Sequence, residues 1–339
     1  MRLTIRGILV VAGLLSVTYL VVTTGATQIV NAIVTLSWRL AVVLLFFAVI
    51  TTVLDTLAWR LAFDRIPSFR RLLWVRLAGE AVNTTTASVG GEAVKVYLLQ
   101  PEIPAIEASA AMVVGKTGIT IAQVAFLGVG VTAAALLLPL PPPVLGAAAA
   151  ALVLEIIAVT GFVLIQRDGA VRRVVSLLRR WSWHTVADRV QGLVALDDSL
   201  AAFYRRRPGR FTALIALHLL AWVIGSVEVY LILRWLGFAI SWPTALFIDA
   251  AGSAVSFLAF SVPARLGVLE GGYMAVFAAL GLASGGGLSL ALVRRLRLIV
   301  WSLLGVAVLL VHRATAARRA DAIMARSAAV PGLVTVARS

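Results

Sequence analysis

Long apolar runs separated by short arginine-rich stretches organise this chain. A helix needs about 20 apolar residues to cross the hydrocarbon of a bilayer, and such runs lie near 7–24, 40–58, 117–138, 144–165, 211–233 and 288–311. They predict six full transmembrane helices. None shows the alternation over about ten residues that the strands of a membrane barrel require. The first run follows Arg2 and Arg6 and ends at Thr24-Gly25-Ala26, a weak cleavage site, so it reads as a span rather than a signal peptide.

Two further segments are apolar but broken by polar residues and glycines. Gly79-Glu80-Ala81-Val82-Asn83, followed by Ser88-Val89-Gly90, returns 173 residues later as Gly252-Ser253-Ala254-Val255-Ser256, followed by Ser261-Val262-Pro263. Both copies read G-x-A-V-[N/S]-x4-S-V-[G/P]. Interruptions in corresponding positions of two halves point to a transport site at the bilayer midplane.

Charge placement gives the two copies opposite senses, because arginines in short loops mark the cytoplasmic face. Arg2 and Arg6 place the N-terminus inside. Arg60, Arg65, Arg70, Arg71 and Arg76 read as a cytoplasmic cluster answered only by Asp64, and Arg313, Arg318 and Arg319 bring the C-terminus inside. The first copy, about 77–100, then starts and ends inside, and the second, about 244–282, starts and ends outside. The expected fold is an all-α polytopic membrane protein with six full transmembrane helices and two re-entrant helical hairpins in an inverted repeat. One transmembrane domain over 1–312 divides into halves at about 7–165 and 211–312, followed by a basic, disordered cytoplasmic tail at 313–339. In the arginine-rich loop 166–210 between the halves, Val171, Val174, Val175, Leu178 and Trp181 fall on one helical face opposite the arginines. That face suits either anionic lipid headgroups or the end of the helix bundle.

Composition supports the membrane reading. With 61% hydrophobic and 13% charged residues and a mean hydropathy of +1.01, the chain differs from soluble domains, in which about a quarter of residues are charged. The net charge of +15 is read as orientation rather than as nucleic-acid binding. There is no cysteine, and the three histidines are scattered at 184, 218 and 312. No nucleotide-binding loop, H-E-x-x-H or G-x-S-x-G is present. No cofactor, metal or enzymatic activity is therefore expected.

Polar groups at membrane depth are tolerated where they are buried in protein or line a wet cavity, which makes them candidates for a substrate path. The first copy supplies Glu80, Asn83, Ser88, Glu92 and Lys95, with Gly90 and Gly91. The second supplies Ser256, Ser261, Pro263, Arg265, Gly267 and Glu270. Arg294 and Arg297, with Arg295, lie at the outer end of the last run and require a fixed anionic partner. Glu228, Asp249 or a lipid phosphate each fits. Structural alternatives compete: Glu92 with Lys95 and Arg265 with Glu270 as internal ion pairs, Lys116 reaching the interface, and His218 as a packed polar bridge.

Gly79 through Lys95, together with Val262-Pro263-Ala264-Arg265-Leu266-Gly267-Val268-Leu269-Glu270-Gly271-Gly272, resemble the flippase-like integral membrane family typified by the transmembrane region of lysylphosphatidylglycerol synthases. The resemblance runs from about residue 7 to 312. Ala58-Trp59-Arg60, Glu228-Val229-Tyr230 and Arg294-Arg295-Leu296-Arg297 resemble the hopanoid-biosynthesis-associated branch. The resemblance implies a bacterial inner-membrane protein that moves a lipid or lipid-linked precursor with an anionic or zwitterionic headgroup between leaflets. The family's G-G-E element maps onto Gly90, Gly91 and Glu92, and its P-x-x-x-G-x-x-E element onto Pro263, Gly267 and Glu270. Ala264 and Arg265 stand where the family often has glycine. The synthases' soluble aminoacyl-transferase domain has no counterpart here, so their lipid-modifying reaction is not expected. Two other readings are a non-transporting scaffold whose basic loops dock a lipid-biosynthesis enzyme, and an intramembrane transferase using Glu92 or Glu270 as base.

Overall fold

A computed structural model describes residues 34–83, 90–167, 169–259, 262, 265 and 267–328, together with Leu15, Thr18, Val22 and Val30. Among the described residues the chain is helical, with no strand. Among the described residues, four helices are long and apolar enough to cross a membrane: α1 (Arg39–Leu61), α4 (Ala105–Leu137), α5 (Pro142–Arg167) and α9 (Pro208–Trp235). They coincide with the apolar runs near 40–58, 117–138, 144–165 and 211–233. The run at 7–24 lies outside the described residues apart from Leu15, Thr18 and Val22. The run at 288–311 lies inside α12 (Ser284–Ala328), which continues helical into the stretch expected to be a disordered tail.

Each copy of the repeated phrase forms a pair of short helices. The first pair is α2 (Phe69–Asn83) and α3 (Gly90–Leu99), which pack along each other. Their open ends are tied by Arg71, whose Nη2 donates to the Leu98 carbonyl at 2.7 Å. The second pair is α10 (Trp242–Leu258) and α11 (Val268–Ala279). Ser241 caps the start of α10 by accepting from the Thr244 amide, with Pro243 in the first turn.

The halves repeat the same packing. The first arm of each hairpin lies against the long helix that follows the other hairpin, α2 on α12 and α10 on α4, while α1 packs on α9. The contact is made the same way twice. A side chain at Gly305 of α12 would run into the Leu77 carbonyl and Ala81, and one at Gly130 of α4 would run into Ala250. Leu77 and Ala250 each precede the first glycine of the motif by two residues. Small residues at these crossings let helix backbones approach closely, which is how membrane helices gain packing energy without a hydrophobic driving force.

Three apolar clusters fill the bundle: one joining Trp59, Leu72, Val94, Leu99 and Met112, one joining Ile232, Ile248, Tyr273 and Phe277, and one joining Phe126, Leu127, Leu246 and Ala250. Residues 170–206 form α6 (Ala170–Arg180), α7 (His184–Gln191) and α8 (Val194–Arg206). Asp197 of α8 accepts from the Val171 and Arg172 amides at 3.2 and 2.8 Å, holding the start of α6. The apolar stripe of α6 is split: Val175 is buried, whereas Val174 and Trp181 are exposed.

Candidate functional site: a charged cavity between two hairpins

The two hairpins and α12 enclose a cavity of about 350 Å³. Near the tip of the first hairpin, Glu80 faces it, and from the second hairpin come Ser253, Ser256, Arg265, Glu270 and Tyr273. Asp55 of α1 and Arg76 of α2 line it too, as do Arg294, Arg295 and Arg297 of α12. In α12 the spacing of 294, 295 and 297 fans the three guanidiniums around one side of the helix. Each reaches a different neighbour.

Arg294 donates to Asp249 at 2.6 Å and to the Tyr273 hydroxyl at 2.5 Å. Arg295 pairs with Glu270, and Arg297 with Glu228. Arg76 pairs with Asp55 at 2.9 Å, and His218 Nδ1 lies 2.8 Å from the other oxygen of that carboxylate. His218 thus bridges α9 to α1. Its Nε2 is buried without a partner among the described residues. Taking such charges out of water costs several kcal/mol per ion, which a well-placed counter-ion offsets. Four of the five cavity arginines are neutralised in this way.

Arg265 is the fifth. Among the described residues its guanidinium has no carboxylate within ion-pair distance and no hydrogen-bond partner, although Glu80 is near enough to act on it electrostatically. Its backbone sits in the left-handed region, at φ 51°. That conformation costs a residue with a side chain about 1–2 kcal/mol, and such strain concentrates at functional positions. The cavity therefore holds one uncommitted positive charge.

The first hairpin distributes its charges differently. Lys95 is buried between Glu80, at 3.4 Å, and Glu92, at 3.2 Å, and Glu92 also meets Lys116 of α4 at 2.8 Å. The chain of four charges sums to zero. Gly79 allows the arrangement, since a side chain there would strike the Lys95 stem at 2.5 Å. The equivalent Gly252 likewise leaves room for the Tyr273 ring.

Beside the charged cavity lies an apolar groove of about 650 Å³ between α1, α2 and α12, walled by residues such as Val53, Trp74, Leu304 and Val308. The two spaces share Thr52, Leu77 and Trp301 as walls. Arg71 is the charged group on the groove.

The family model described as Lysylphosphatidylglycerol synthase TM region matches residues 5–306. The chain belongs to that family. Searches of the curated proteins and of the solved structures each returned no match.

In this member of the family, the residues expected along a path separate into three groups. Glu80, Ser256, Arg265, Glu270, Arg294 and Arg297 line the cavity. Asn83, Gly90, Gly91, Glu92, Lys95 and Gly267 do not. Glu92 and Lys95 are held by each other, and Asn83 Nδ2 reaches Glu92 at 3.5 Å. Ser88, Ser261 and Pro263 lie outside the described residues.

Three expectations are corrected. Arg265 does not pair with Glu270, which is taken by Arg295 of α12. Lys116 does not merely reach the interface, since Glu92 stands at ion-pair distance. Arg76 is not part of a loop cluster answered only by Asp64, because Asp55 draws it into the cavity wall, while Asp64 faces Arg207 at 3.9 Å. Of the partners open to the three arginines of α12, Asp249 meets Arg294 and Glu228 meets Arg297, whereas Arg295 meets Glu270, which was not one of them. Asp55 and Glu155, single carboxylates inside apolar runs, were not among the expected residues. A lone acid in such a run is itself the signal that marks them.

Proposed function

We propose that this protein moves a lipid, or a lipid-linked precursor, between the leaflets of a bacterial inner membrane. The observation that carries the reading is the junction of a charged cavity holding one uncommitted arginine with an apolar groove sharing its walls. An amphiphile fits such a pair: an anionic or zwitterionic headgroup meets Arg265 through the bidentate contacts guanidinium makes with phosphate, and a chain lies along Trp74 and Leu304. In this reading six spans surround two re-entrant hairpins of opposite sense, both termini are cytoplasmic, and the protein is not an enzyme. Fixed ion pairs line the passage and solvate the headgroup without closing around it.

A second reading has an observation of its own. Leu177, Trp181, Trp183 and Val186 on α6, α7 and the turn between them are exposed among arginines, as a surface that docks a lipid-biosynthesis enzyme would be. A scaffold of that kind moves no lipid.

The discriminating experiment is headgroup-labelled lipid accessibility in proteoliposomes, over a panel of anionic and zwitterionic headgroups. The transport reading expects leaflet exchange above that of protein-free vesicles, reduced by Ala307→Trp, which fills the groove without touching an ion pair. Background exchange for every headgroup overturns it in favour of the scaffold.

A further inference from the structure

Among the described residues, Glu155 is a buried carboxylate with no ion-pair partner. It lies midway along α5, where Leu154, Ile156 and Ile157 are exposed on the outer face and Glu155 itself is 1% exposed. Both carboxyl oxygens are buried without a hydrogen bond among the described residues. The other fully buried carboxylates each have a partner: Glu228 and Asp249 an arginine, Asp197 two backbone amides. Helices α4, α6, α8 and α10 pack on α5, and no charged or titratable group on any of them acts on Glu155. Its polar neighbour is the Gln123 carboxamide of α4.

Gln123 connects this acid to the cavity. Its Nε2 donates to the Ser253 carbonyl at 3.1 Å, and Ser253 is part of the cavity wall. An uncompensated carboxylate in such a place costs several kcal/mol, whereas the neutral acid needs only an acceptor for its O–H. The Gln123 amide offers Oε1 to the neutral acid or Nε2 to the anion, depending on which way it is turned. Turning Nε2 toward Glu155 withdraws it from Ser253, a residue of the cavity wall.

We infer that Glu155 is a proton-binding site linked through Gln123 and Ser253 to the headgroup cavity, so that proton uptake and release accompany passage of the headgroup. On release, the carboxyl O–H bond breaks, its electron pair stays on the carboxylate and the proton passes to water reaching the site from the cavity. On uptake the same bond re-forms. The coupling rests on the transport reading, and the proton site itself does not.

Two measurements separate them. In proteoliposomes with an imposed pH difference of one unit and the membrane potential clamped, labelled-lipid distribution and internal pH are followed together. One proton per headgroup biases the distribution by up to about tenfold per unit, with proton flux that appears only when transportable lipid is present. Glu155→Gln, close in shape and permanently neutral, loses both the bias and the flux. In detergent, infrared difference spectroscopy across a pH jump shows a protonated-carboxyl band in the wild type that Glu155→Gln lacks. Lipid exchange indifferent to the gradient in the wild type, or a gradient response surviving in Glu155→Gln, overturns the coupling. No exchange in any protein with the band present removes the transport reading and leaves the proton site standing. Absence of the band overturns the proton site.

Discussion

The two hairpins are built from one phrase and spend their charges in different ways. In the first, Glu80, Lys95 and Glu92 lie within the hairpin itself and close on Lys116 of the next helix. In the second, Asp249 and Glu270 leave the hairpin to meet Arg294 and Arg295 of α12, and Arg265 is left over. The acids of the first hairpin are thus met within it and by the helix that follows, while its Arg76 pairs outside it with Asp55 of α1. The second is fastened to the bundle by its acids and presents a cation. The cavity lies between two helix pairs that meet their charges with different neighbours.

The sharpest break of this comparison removes one acid from each hairpin. Asp249 is 1% exposed and holds Arg294, so Asp249→Ala leaves a buried guanidinium uncompensated and lowers stability by about 3–5 kcal/mol. Replacing both partners, Asp249→Leu with Arg294→Met, recovers most of that loss. Glu80→Ala in the first hairpin removes a side chain that is 36% exposed and leaves Lys95 paired with Glu92, at a cost of about 1 kcal/mol or less. Thermal melts in detergent check both. Equal losses in the two hairpins would contradict the asymmetry.

A second test addresses what the copies share. Gly130→Leu and Gly305→Leu each push apart a crossing between halves and cost about 1–3 kcal/mol by overpacking. Gly146→Leu on α5, where nothing lies within 4 Å, stays within about 0.5 kcal/mol. Similar melting shifts for Gly130 and Gly305 match the repeated packing. A large shift in one alone would show that the crossings are not equivalent.

Much of this architecture was legible because its signals are local. Apolar runs of spanning length marked α1, α4, α5 and α9, and the twice-written glycine phrase marked two helix pairs before their packing was known. The motif glycines had a reason that spacing alone did not supply: Gly79 and Gly252 make room for Lys95 and Tyr273. What remained illegible was long-range. Arg76 sits beside Arg70 and Arg71 in sequence and looked like loop charge, but its partner Asp55 is 21 residues away. Glu270 is near Arg265 in sequence but pairs with Arg295, 25 residues on. Ion pairs across helices leave no local pattern, and proximity along the chain does not reveal them. Glu155 went unnoticed because one acid barely alters the hydropathy of a 26-residue helix.

A small expected change in stability accompanies the largest expected change in function, at Arg265. Glycine there removes the only cavity arginine without an acid among the described residues. It also relieves a left-handed backbone at φ 51°, and this gain of about 1–2 kcal/mol is offset by the greater freedom of glycine in the unfolded chain. The most direct measurement is therefore labelled-lipid exchange by Arg265→Gly in proteoliposomes, alongside its melting temperature and Arg265→Lys. The account predicts melting unchanged to within about 1 kcal/mol, exchange lost in the glycine variant and partly retained with lysine. Wild-type exchange by a well-folded Arg265→Gly protein would contradict the claim that the uncommitted arginine receives the headgroup.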